Sequence, residues 1–148
     1  MTHTEPPDIL HVDKDDADFY NNADLFPGKG QSKLSNTEKF MLALVYGFKF
    51  GSPKPLTKRD ASGFTRYSYL QSTDKALIFA IVTSLRKYDL DVLTNQQQTY
   101  EIAEQLAHAG AQLIQHSDTF KHKAMTETLE NLILDAVPHD TTASEPQQ

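Results

Sequence analysis

The chain of 148 residues contains no cysteine and no tryptophan. Without cysteine there are no disulfide bonds, no thiolate-ligated zinc and no thiol catalysis, and a reducing compartment is favoured. No stretch approaches the ~20 consecutive apolar residues that a membrane-spanning helix needs. The acidic residues 1–18 also lack the apolar run of a signal peptide. We therefore expect a cytoplasmic protein that makes no contact with a membrane.

The net charge of -6 hides three blocks of opposite sign. Residues 1–28 hold seven acids against one lysine, and residues 88–148 hold ten acids against two lysines. Between them, residues 29–87 hold eleven bases against three acids. The central block could therefore meet a phosphate backbone, an acidic protein surface or the acidic ends of its own chain. One hypothesis is that residues 1–28 fold back on this basic block.

A capping box predicts where the first long helix begins. Ser35 and Glu38 have the spacing at which each side chain accepts the other residue's backbone N–H. An apolar stripe follows at helical spacing, and Gly51 with Pro53 ends the helix. The stripe consists of Phe40, Met41, Leu44, Val45 and Phe48.

Three further helices are predicted from apolar periodicity. The second follows a cap at Thr73, the third covers residues 95–115, and the fourth covers residues 118–137. The stripe of the second is Ala76, Leu77, Ala80, Ile81, Leu85 and Tyr88. The predicted core includes Leu44, Leu77, Ile81, Leu106 and Leu132, and Gly110 is expected at a close helix crossing.

These patterns predict an all-α fold: a compact four-helix domain over residues 34–138 with a short extended segment at 64–70. Residues 1–33, which combine acids with prolines and glycines, are predicted to form an acidic flexible arm. Residues 139–148, rich in Thr, Ser, Pro and Gln, are predicted to be a disordered tail.

The order of several segments resembles a small prokaryotic protein family associated with DNA phosphorothioation (Dnd) systems. The similar segments are residues 40–49, Lys54-Pro55-Leu56, and residues 64–70, 74–82, 89–93 and 101–114. This chain has Ala109-Gly110 where the family has a Gly-Gly pair, and it adds the acidic arm and the fourth helix. The resemblance implies a genomic neighbourhood in anti-phage defence or DNA modification, without a defined activity or catalytic residues.

Bases and aromatic residues coincide in the loop and extended segment at 54–69. Cations there could bind phosphates and the tyrosine rings could stack on bases. The alternative is that the cations pair with the chain's own acids. Adjacent residues on a helix point about 100° apart, so Phe50, two residues after Phe48, cannot face the same core. Phe50 is therefore a further candidate for a partner surface. The candidate binding residues are Lys54, Lys58, Arg59, Arg66, Tyr67, Tyr69 and Phe50.

Histidines offer a weaker possibility, a metal site. Glu104 and His108 are four residues apart on one helical face, with His116 and His122 following. No His-Glu-x-x-His motif accompanies them, so exposed helix residues are the favoured interpretation. We expect no catalytic residue, no metal and no cofactor.

The resulting hypothesis is a non-enzymatic accessory or adaptor subunit of a prokaryotic anti-phage defence or DNA-modification system. Its partners would be protein subunits of that system, with DNA as a further possibility. The alternative is a sequence-tolerant nucleic-acid-binding regulator that uses residues 54–69.

Overall fold

The computed structural model describes residues 4–22, residue 26 and residues 34–117. This part of the chain is mostly helical, as predicted, with a small two-stranded sheet. The elements in chain order are β1 (Ile9–Leu10), α1 (Ala17–Tyr20), α2 (Asn36–Phe50), β2 (Thr65–Arg66), α3 (Ser72–Leu85) and α4 (Gln96–Gln115). Single turns of 3-10 helix cover Lys14–Asp16, Tyr67–Tyr69 and Leu90–Thr94.

Helix α2 begins where the capping box predicted. The Ser35 hydroxyl accepts the Glu38 backbone N–H at 3.2 Å, and the Glu38 carboxylate accepts the Ser35 N–H at 2.7 Å. The buried side of the helix includes Phe40, Ala43 and Leu44. A local hydrogen-bond exchange thus sets the start of the helix, and burial sets its inward face.

Helices α2 and α4 cross at a pair of glycines. A Cβ added at Gly110 would collide with the carbonyl oxygen of Ala43, and one added at Gly47 would collide with that of Leu106. The close approach predicted at Gly110 is confirmed, and Gly47 supplies the matching gap on the other helix. Because the obstacles are backbone atoms, a side chain at either position would push the helices apart.

Helix α3 buries a different side from the one predicted. Its buried residues are Ile78, Ile81 and Val82, whereas Leu77 is 42% exposed. The predicted cap is also wrong, because the N-cap is Gln71, whose N–H the Asp74 carboxylate accepts at 3.0 Å. Residues 76–82 are apolar without interruption. Such a run does not define one stripe, so packing against the other elements selects the inward face.

The N-terminal segment is part of the same core, which corrects the prediction of a separate flexible arm for residues 4–22. Strand β1 pairs antiparallel with β2, placing Ile9 opposite Arg66 and Leu10 opposite Thr65. Leu10 and Phe19 are fully buried. Burying two such side chains contributes about 3–6 kcal/mol, a large share of a domain's ~5–15 kcal/mol. This segment is therefore integral to the fold.

Several predictions fall outside the described residues: the fourth helix at 118–137 with Leu132, and the tail at 139–148. Leu44, Ile81 and Leu106 are buried as predicted. None of the helices in the described part of the chain is long and apolar enough to cross a membrane.

Candidate interaction surface

The loop that precedes β2 is attached to the N-terminal segment. The Asp13 carboxylate accepts the backbone N–H groups of Thr57 and Lys58 at 2.9 and 3.0 Å. The Lys58 ammonium lies 3.2 Å from Asp15 in an exposed ion pair. Residues of the acidic block thus contact the basic block, as the fold-back hypothesis expects. The segment that makes these contacts is, however, part of the core.

Arg59 also makes contacts within the chain. Its Nη2 lies 3.2 Å from Glu104 Oε1 and 2.9 Å from His11 Nδ1. The guanidinium is half-exposed, while the Glu104 side chain is buried. Arg59 thus joins the loop to α4 and to His11, the residue after β1, and part of its charge is compensated by Glu104.

The aromatic part of the predicted binding segment is divided between core and surface. Tyr67 is half-buried and meets Tyr100 edge to face, with ring centroids 5.2 Å apart. The Lys75 ammonium lies 4.3 Å from the centroid of the Tyr67 ring. Arg66 and Tyr69 are exposed. The segment therefore does not present all of its cations and rings on one open surface.

Phe50 and Lys54 lie near a cleft at the end of α2. Phe50 is exposed and its ring centroid is 4.7 Å from that of Tyr46. The cleft has a volume of about 580 Å³. Its lining residues are Gly51, Ser52, Pro53, Lys54, Pro55, Ala109, Gln112, Leu113 and His116. Lys54 is exposed here, and its backbone N–H donates to the Gln105 carbonyl at 3.2 Å.

Glu104 and His108 are buried, so their interpretation as exposed helix residues was wrong. Each is only 4% exposed. His108 Nδ1 lies 2.7 Å from Asp16 Oδ2, and its Nε2 lies 3.9 Å from Asp13 Oδ2. Asp13, Asp16, Glu104 and His108 are named here the buried carboxylate–histidine cluster. A sequence pattern could not reveal it because the partners are more than 90 residues apart.

The groups of the cluster differ in proton affinity. Burial raises the pKa of Glu104 to about 7, against the opposing effects of the His11 N–H and the Arg59 guanidinium. Burial also raises the pKa of Asp16, opposed by hydrogen bonds from Gln112 and His108. Burial also acts to raise the pKa of Asp13. Hydrogen bonds from the backbone N–H groups of Lys58, Asp15 and Thr57 outweigh this effect, so the pKa of Asp13 is lowered.

The cluster has the properties of a structural element. Its side chains are closed to solvent, and they connect the N-terminal segment to α4. Within the described residues no group of three or more His, Cys, Asp or Glu side chains is arranged to hold a metal ion. His116 is exposed, and His122 lies outside the described residues.

Because α3 buries Ile78 and Val82 and exposes Leu77, it has a solvent-facing side that the sequence pattern did not predict. Six exposed residues lie within about 80° of Ala80 around the helix axis, and none is charged. They are Ser72, Thr73, Ala76, Leu77, Ala80 and Ser84. We call them the outer face of α3. The uninterrupted apolar run at 76–82 could have indicated this face, because it contains enough apolar residues for two sides of the helix.

Two further exposed apolar residues follow the outer face. Tyr88 is 76% exposed and Leu90 is also exposed. Lys87 and Tyr88 have positive φ angles of 54° and 65°. Non-glycine residues adopt this left-handed region at an energetic cost of order 1–3 kcal/mol. The turn thus places an aromatic ring in solvent after the helix, beside the exposed charged residues Lys87 and Asp89 in the sequence.

Comparison of the chain with protein-family models, with curated proteins and with solved structures finds no match.

Proposed function

We propose that this chain is a non-enzymatic accessory or adaptor subunit that acts through protein contacts made by the outer face of α3. Its setting would be a prokaryotic anti-phage defence or DNA-modification system. That setting is supported by the resemblance over residues 37–115. The mode of action is supported by the surface of α3.

The observation that carries the proposal is a solvent-facing helix side without a charge. Helices at the surface of a domain ordinarily turn charged and polar residues to water. On α3, Leu77 is exposed instead and lies among small residues. Protein interfaces are depleted of charged residues at their centre, and apolar surface of this kind marks interaction sites.

A protein partner fits this surface better than a nucleic acid does. Phosphate binding requires cations, and the outer face of α3 has none. In the basic loop, Lys58 pairs with Asp15 and Arg59 pairs with Glu104. These acids compensate the charge that a polyanion would otherwise neutralise.

Nucleic-acid binding remains the second candidate because Lys54, Arg66 and Tyr69 are exposed. Under this alternative, Arg66→Ala should weaken DNA binding for every sequence tested and reduce the slope of log affinity against log salt by about one. If the chain instead binds a protein partner through the outer face of α3, we expect no DNA retention at physiological salt. Arg66→Ala should then leave the complex with the protein partner unchanged.

The test of the proposed function is an affinity pull-down from the native host after nuclease treatment. Leu77→Glu places a charge in the outer face of α3 and should abolish co-purification of the partner. Leu113→Glu is the matched control, since Leu113 is an equally exposed leucine, at 40%, on α4. Equal recovery of the partner by both variants would contradict the proposal, provided that both melt like the unmodified chain.

A further inference from the structure

We propose that the outer face of α3 pairs with the same face of a second copy of this chain in an antiparallel, twofold-symmetric dimer. This inference rests on the proposed function, because it names the partner of the same surface. A twofold contact requires a patch complementary to itself. The residue sizes along α3 meet this requirement.

The outer face has one large side chain, Leu77, among small ones, a pattern suited to antiparallel pairing. A twofold axis near Ala80 places Leu77 of each copy opposite Ser84 of the other. Each exposed leucine therefore faces a small residue, and Ala80 near the axis allows the two backbones to approach closely.

The charges at the two ends of α3 favour the antiparallel arrangement over a parallel one. Asp74 lies near the first turn, and Arg86 and Lys87 directly follow the last. Antiparallel pairing brings Asp74 beside these bases of the other copy, whereas parallel pairing would place like charges together. The neighbouring Lys75 points its ammonium at the Tyr67 ring of its own chain.

The size of the surface predicts a reversible dimer. A helix of 14 residues is about 21 Å long, so the helix pair alone falls below the ~800 Å² per partner of a standard interface. Tyr88 and Leu90 are exposed in the turn after the helix, among the exposed charged residues Arg86, Lys87 and Asp89. Exposed aromatic rings of this kind commonly serve as anchors in interfaces.

Light scattering coupled to size-exclusion chromatography, over a hundredfold range of concentration, tests the dimer with the purified full chain. The mass should rise from 16.7 kDa toward twice that value as concentration increases. Leu77→Glu should keep the mass at the monomer value at every concentration. Leu113→Glu should dimerise like the unmodified chain.

Cysteine cross-linking locates the interface, because the natural chain has no cysteine. Ala80→Cys should be captured as a covalent dimer by a short thiol cross-linker, since the proposed axis passes near this position. Leu113→Cys, which is similarly accessible but lies on α4, should remain monomeric under the same treatment. Equal cross-linking of the two variants would contradict the proposed interface.

The outcomes separate the dimer from the proposed function. A monomeric mass at all concentrations overturns the dimer. If Leu77→Glu then still abolishes recovery of a different protein in the pull-down, the adaptor function stands. A dimer that persists in Leu77→Glu overturns the assignment of the interface to α3.

Discussion

Replacement of Glu104 by glutamine tests the reasoning about the buried carboxylate–histidine cluster. Glutamine preserves the volume of the side chain and an oxygen that can accept the His11 N–H. It removes the carboxylate, which is nearly inaccessible to water and whose ionisation burial opposes. The substitution therefore eliminates the ionisation without opening a cavity.

The expected effect follows from the pKa of Glu104 in the two states. An ordinary glutamate has a value of 4.5, and in the folded chain the value is about 7. The folded state therefore holds this proton more tightly, and Glu104 loses stabilising effect as the pH rises from about 4.5 through about 7. Each tenfold difference in proton affinity is about 1.4 kcal/mol, so the total loss approaches ~3 kcal/mol.

Compared with the unmodified chain, Glu104→Gln should be similar in stability at pH 4.5 and should become the more stable protein by pH 8. The attraction of half-exposed Arg59 for the ionised carboxylate is already part of this difference, because the Arg59 guanidinium lowers the pKa of Glu104 that burial raises. The assay is urea denaturation followed by circular dichroism at several pH values between 4.5 and 8.5. Tyrosine fluorescence provides a second probe, because the chain has no tryptophan.

Glu101→Gln is the matched control, since Glu101 lies one turn away on α4 and is exposed. Because the Glu101 charge also raises the pKa of Glu104, as the smallest of its causes, Glu101→Gln should show only a small part of the gain in stability that Glu104→Gln shows above pH 7. The reasoning is refuted if Glu104→Gln is the less stable protein at pH 8. That result would mean that the ionised carboxylate and Arg59 together stabilise the fold more than burial of the charge destabilises it.

Two further predictions concern packing. Leu106→Ala should lower the free energy of unfolding by about 2–5 kcal/mol, whereas Leu77→Ala should change it by less than about 0.5 kcal/mol. Equal losses of stability in urea denaturation would contradict the exposed position of Leu77 on α3. Gly110→Ala should cost at least ~1–3 kcal/mol, and Gly110→Leu more, because the added atoms meet the backbone of α2. A neutral Gly110→Ala would show that the two helices are not in close contact.

Features that depend on neighbours along the chain could be predicted from the sequence. The start of α2 follows from hydrogen bonds between Ser35 and Glu38, three residues apart. Helix α4 was predicted over residues 95–115 and is observed at Gln96–Gln115, with the Asn95 side chain accepting the Gln98 N–H. Such caps and their apolar periodicity are local, so a sequence reading can recover them.

The buried face of α3, in contrast, depends on packing against the rest of the fold. Leu77 and Ile78 are adjacent apolar residues, and nothing local distinguishes their sides of the helix. The buried side contains Ile78 and Val82, and Phe79 near them lies edge to face with Tyr100 of α4. The charge-free outer face is a consequence of that choice.

Tertiary contacts also explain why two acidic residues near the N-terminus, Asp13 and Asp16, are buried. Composition classed this segment as a flexible arm, because a buried acid is expensive unless it has partners. Asp13 obtains partners from the backbone N–H groups of Thr57 and Lys58, and Asp16 obtains them from His108 and Gln112. These partners lie 44 to 96 residues away in the sequence, so only folding brings them together.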